Sequence, residues 1–82
     1  MLTLGQLLYD LNDSYTHFDV YEQDTGDIGE VLPSKKKILS NASQDEIVEF
    51  SKDHLLDEVL LAYNDFHSEG NRISIVLKKP NS

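Results

Sequence analysis

An Asp-Thr-Gly triplet at positions 24–26 and three histidines, His17, His54 and His67, are the residues whose types bring chemistry to mind. The triplet matches the aspartic protease signature, in which two carboxylates share one proton inside a buried, apolar site, and a homodimer would supply the second copy. Its surroundings argue otherwise. Tyr21-Glu22-Gln23 before it is largely polar and Asp27 follows at once, so such a site would be wet and overcharged, and the triplet reads as a turn. Residues 19–30 have the length and the terminal Glu of a calcium-binding loop, but Tyr21 stands where a ligand is needed and Asp24 where a glycine must make the bend. The histidines are far apart and in no metal-binding spacing. The serines lack a nucleophile elbow and the four glycines form no phosphate-cradling loop. The expectation is a protein that is not an enzyme, with no metal site and no cofactor.

The elements that would position these residues are legible in part. In "TLGQLLYDL", Leu4, Leu7, Leu8 and Leu11 recur at i, i+3, i+4 and i+7, the apolar stripe of a helix, with Thr3 and Gln6 at capping-box spacing. "THFDVYE" alternates as a strand, Phe18 and Val20 on one face and His17, Asp19 and Tyr21 on the other. Gly26 permits a tight turn at 24–27, and "IGEVL" resumes the chain before Pro33, which gives a hairpin. "PSKKKILSN" is expected to be a linker with a short extended piece at Ile38 and Leu39. Ser43 and Glu46 form a second capping box, opening a helix over 44–51 that turns Ile47 and Phe50 inward. Residues 53–66 fit both a helical stripe and a doubly buried strand; with "HSEGN" as a hairpin loop before the strand "RISIVLKK", the reading leans to strand over 58–64. Tyr9 and Tyr63 are expected in the core or at its edge. The fold class is α+β, a small antiparallel sheet of three to four strands with two helices, in the order α-β-β-α-β-β.

With 82 residues and no cysteine, the chain reads as one domain over 1–82 with a thin core, stabilised by packing without disulfides. No charged n-region or long apolar run is present, so it is expected to be soluble and cytoplasmic, with no membrane contact. The formal net charge is −8, and residues 1–34 hold seven acids and no base. Direct nucleic-acid contact is disfavoured, because it depends on Lys and Arg neutralising phosphates; attraction to a basic protein surface is favoured.

Carboxylates at i and i+2 of a strand lie about 7 Å apart on one face, a crude copy of a phosphate backbone. Asp19, Tyr21, Glu22, Asp24 and Asp27 are therefore the expected partner-binding surface. The amphipathic first helix, "FDVYEQDTGD", and the terminal "RISIVLKK" strand after "EVLLAY" resemble small acidic proteins encoded by phages and prophages of Gram-positive bacteria. That resemblance implies a small α+β fold in which "EVLLAY" is a strand. Some similarly small, acidic proteins from the same sources are anti-CRISPR inhibitors that occupy the DNA-binding or PAM-reading groove of a CRISPR nuclease, and the expected function is a non-enzymatic binding protein acting in that way on a host CRISPR nuclease. The alternative is a structural or assembly accessory of a phage particle, binding through an apolar sheet edge.

Overall fold

The computed structural model describes residues 2–11, 14–23, 36–65 and 71–78. Two helices, α1 (Leu4–Leu11) and α2 (Gln44–Ser51), accompany four strands: β1 (His17–Gln23), β2 (Lys36–Ala42), β3 (Val59–Asp65) and β4 (Arg72–Lys78). The chain order is α1-β1-β2-α2-β3-β4, the α+β arrangement expected. The strands form one sheet in the order β2-β1-β4-β3.

Both helices start where their capping boxes place them. The Thr3 amide donates to Gln6 Oε1 (2.9 Å), and Gln6 N donates to Thr3 Oγ1 (3.2 Å). Ser43 and Glu46 make the same reciprocal pair at the start of α2. Each pair satisfies amides that the first helical turn leaves without partners.

The sheet corrects two sequence expectations. It is mixed, not antiparallel: β1 runs parallel to β4 in unbroken register from His17↔Arg72 to Gln23↔Lys78, while β1–β2 and β3–β4 are antiparallel. The antiparallel partner of β1 is Lys36–Ala42, most of which was expected to be linker. The turn and the "IGEVL" run of the expected hairpin lie outside the described residues. A strand that begins with lysines is poorly suited to a sheet centre but well suited to an edge, where Lys discourages further pairing. Because β2 and β3 occupy opposite edges, the segment carrying α2 must cross the sheet between them.

That crossing, together with α1, supplies one cover of the core. Leu4 from α1 and Ile47 from α2 join Phe18, Val20, Ala42, Ile73, Ile75 and Leu77 in one cluster, each at most 3% exposed. Leu7, Leu8 and Leu11 of the predicted stripe pack against it. Full burial of each Leu, Ile, Val or Phe side chain of the cluster contributes roughly 1.5–3 kcal/mol. The opposite face of the central strands is buried as well, with Val76 and Ser74 of β4 and Asp19 of β1 all shielded. Strands in a parallel pair are commonly covered on both faces. Asp19, expected among the solvent-facing acids of β1, is thus shielded, while His17 and Tyr21 on the same face are half-buried.

Candidate functional site

Of the five residues expected to form a contact surface, Asp24 and Asp27 lie outside the described residues. The other three are drawn into the protein's own contacts. Asp19 is 4% exposed, and the backbone explains why. Phe18 pairs with Ala42 and Val20 with Leu39, so the single residue Asp19 faces two residues of β2, which is a β-bulge. Asn41 takes the extra position with φ of 53°, the left-handed region that Asn tolerates better than most L-residues. The Asn41 amide then donates to Asp19 Oδ1 at 2.8 Å, and Arg72 Nη2 donates to Asn41 Oδ1 at 2.6 Å. Arg72 Nη1 lies 3.8 Å from Asp19 Oδ2. Asp19 thus satisfies a bulged amide and balances a guanidinium, which is structural work.

Tyr21 and Glu22 are half-buried. Lys37 is the cross-strand partner of Tyr21, and its ammonium lies 5.4 Å from the ring centroid; Lys36 is the cross-strand partner of Glu22. An ammonium over an aromatic face is attracted by the ring quadrupole. The lysine run therefore borders the described part of the acidic strand and softens its negative field. A second irregularity, between Val20↔Leu39 and Tyr21↔Lys37, inserts Ile38 into β2 and lets Ile38 and Leu39, neighbours in sequence, both pack on the core.

Among the described residues, no three His, Cys, Asp or Glu side chains come together in a way that could hold a metal ion. No described helix is long and apolar enough to cross a membrane. His54 pairs with Asp57, Nδ1 to Oδ2 at 2.6 Å, and its ring stacks on Phe50 with centroids 4.2 Å apart. Backbone bonds from His54 N to Ser51 O and from Asp57 N to His54 O close the same turn. The pair rigidifies residues 52–57.

That turn builds the surface feature sequence reasoning missed. Leu4 N donates to Asp57 O and Gly5 N to Leu55 O, while Val59 N donates to Leu2 O. The first amides of α1 are thereby satisfied by the turn instead of by water. Gly5 leaves room for this approach: a Cβ there would lie 3.1 Å from Leu55 O and 3.2 Å from Leu55 Cδ2, so the turn would have to yield by a few tenths of an ångström. The docking leaves a run of apolar side chains uncovered. Tyr9 is 86% exposed, Leu56 85%, Leu55 50% and Leu2 39%. Leu2, Gly5, Gln6, Tyr9 and Asp10 line an open groove of about 530 Å³. Leu8, Tyr9, Asp10 and Gln44 line a second of about 540 Å³, so Tyr9 and Asp10 form the ridge between them. Gln44 Oε1, in the second groove, is shielded from solvent without a hydrogen-bond partner.

The exposure of Tyr9 corrects its placement at the core edge. A signal for it existed: at about 100° per residue, position 9 falls about 150° from the centre of the Leu4-Leu7-Leu8-Leu11 stripe.

No family model, curated protein or solved structure matches the chain.

Proposed function

We propose that this protein is a non-enzymatic binding module that docks the outer face of α1 onto a cationic surface of another protein. The observation that carries the reading is the exposure of Tyr9 in a groove that Leu2 and Gly5 also line, with Leu55 set against Gly5 and the exposed Leu56 next to it in the chain. Contiguous exposed apolar side chains with an aromatic anchor are the usual makings of an interaction hot spot. Charge specifies the partner. The residues of α1 and of the turn over 53–57, which flank this face, include no Lys or Arg, and Lys52 at the head of the turn is paired with Glu49, so a docking surface with Lys or Arg around an apolar centre complements it. The unpartnered acceptor of Gln44 suits a donor from such a side chain.

The test is retention of partner proteins from a cell extract on the immobilised protein, compared with Tyr9→Ala and Leu56→Ser variants. Both positions are so exposed that folding should be unaffected, as circular dichroism would confirm. Loss of the retained proteins by about tenfold or more is the expected result for a hot-spot aromatic. Equal retention by all three proteins rejects the face.

A second reading keeps the acidic surface as the contact, reduced to Glu22, Asp24 and Asp27 with Tyr21. The net charge of −8 favours it. In its sharpest form, suggested by the resemblance to phage-encoded proteins, the surface occupies the nucleic-acid groove of a CRISPR nuclease. Asp24→Lys with Asp27→Lys should then abolish inhibition, and raised salt should weaken binding steeply. Docking centred on Tyr9 loses less with salt and tolerates the double reversal.

A further inference from the structure

We propose that the groove between α1 and the start of α2 takes an arginine side chain of the partner protein, which rests on the outer face of α1 being the docking surface. Leu8, Tyr9 and Asp10 of α1 and Gln44 of α2 line this groove of about 540 Å³, and each offers a different contact. Asp10 is exposed, and among the described residues its carboxylate has no ion-pair partner. Tyr9 beside it is 86% exposed, so its ring is open to a cation. Leu8 is half-buried and gives the groove an apolar wall. Gln44 Oε1 is shielded and has no hydrogen-bond donor, which leaves its lost hydration uncompensated. The last torsion of a Gln side chain is broad, so this half-buried amide can turn its oxygen toward a donor that enters.

An arginine meets all of these at once. Its methylene stem suits Leu8, its guanidinium plane stacks on a tyrosine ring, and its donors form a fork that serves a carboxylate and an amide oxygen together. A lysine ammonium is compact, strongly hydrated and not planar, so it fits less well. An apolar side chain would leave Gln44 Oε1 without a donor and cover Asp10 without pairing it. An anion is disfavoured: Asp10 is the one charged residue of α1, and α2 opens with Asp45 and Glu46, which balance the positive end of its dipole.

The experiment titrates the isotopically labelled full chain with three blocked amino acids: N-acetyl-arginine methylamide, its lysine equivalent, and its citrulline equivalent, which keeps the shape of arginine and loses the charge. The arginine probe should shift the side-chain amide resonances of Gln44 and the backbone amides of 8–10. The other two probes should bind about threefold more weakly, the size of one exposed charge-assisted contact. Asp10→Asn should remove the advantage of arginine over citrulline, whereas Leu56→Ser, outside the groove, should bind arginine as the unaltered chain does. The assignment is overturned if the three probes bind alike, if shifts fall away from 8–10 and 44, if none appear at tens of millimolar probe, or if Asp10→Asn keeps the full preference. Those outcomes leave the docking face standing, since retention on Tyr9→Ala and Leu56→Ser tests it separately. Arginine binding with retention unchanged in both variants would reject a partner protein as the source of the arginine, and the proposal with it.

Discussion

The two edges of this sheet are built on opposite principles. The β2 edge is irregular and polar: two bulges interrupt its register with β1, lysines occupy positions 36 and 37, and its bulge is held by Asp19, Asn41 and Arg72. The β3 edge is apolar, and from Leu61 onward its pairing with β4 is regular. A bulged, lysine-bearing edge resists further pairing. The buried Asp19 of β1 and the half-buried Arg72 of β4 are spent on shaping the bulged edge, while the exposed apolar side chains Leu2, Tyr9, Leu55 and Leu56 belong to α1, the residue before its cap and the 52–57 turn.

The contrast can be broken from the β2 side first, where the largest effect is expected. Asp19→Ala removes the acceptor of the Asn41 amide and strands the Arg72 guanidinium, which is 25% exposed. Urea unfolding should show a loss of about 2–3 kcal/mol, below the 3–5 of a fully buried broken pair because Arg72 retains some water. A loss under about 0.5 kcal/mol would mean that the bulge holds without the carboxylate.

Next comes the backbone itself. Asn41→Ala places an ordinary residue at φ of 53° and discards the bond from Arg72, for an expected loss of about 1.5–2 kcal/mol. Asn41→Gly loses the same bond but not the conformation, and should be milder by about 1 kcal/mol. Equal losses would assign the whole effect to the side chain.

On the β3 side, Gly5→Ala tests the docking of α1. Elsewhere in a helix Ala would be stabilising. Here the new methyl meets Leu55 O at 3.1 Å, and that carbonyl is held by the Gly5 amide itself. A net loss of about 1 kcal/mol is expected, accompanied by faster exchange of the Leu4 and Gly5 amides. Unchanged or increased stability would show that the turn gives way readily.

The smallest effect is reserved for a contact belonging to neither edge. The Lys52–Glu49 pair is 2.9 Å long but its side chains are 65% and 75% exposed. Lys52→Ala should cost less than about 0.5 kcal/mol, and less still at high salt. A larger loss would indicate that α2 depends on its exposed charges and not on Ile47.

How much of this was legible in the sequence follows the range of the interactions. Thr3 with Gln6 and Ser43 with Glu46 are contacts three residues apart, and they mark both helix starts correctly. The run "EVLLAY" was ambiguous between helix and strand; pairing with β4 resolves it as Val59–Asp65, one residue displaced from the expected 58–64. Of Lys36–Ala42 only the short extended piece at Ile38 and Leu39 is legible, because the lysines and the Asn-containing bulge obscure any alternation around it. The contact surface fared unevenly for the same reason. Alternation correctly put Asp19 opposite Phe18 and Val20, but it carries no information about whether that other face is covered. Tyr9 follows its angular position on the helix and not its aromatic character, and so stands outside the core.

What the sequence by itself determined is local: the two helices and their caps, the apolar stripe that seats α1, the strand character of β1 and β4, and an acidic charge balance. The tertiary structure alone decided which strands became edges, that β1 lies parallel to β4, that Asp19 is buried beneath a bulge, and that Tyr9 and Leu56 are left outside. Periodicity reports which side chains share a face of one element. What that face meets depends on residues far away in the chain, since Asp19 finds Asn41 and Arg72 only after β2 and β4 have closed around β1, and such pairings are selected by the free energy of the whole packed arrangement.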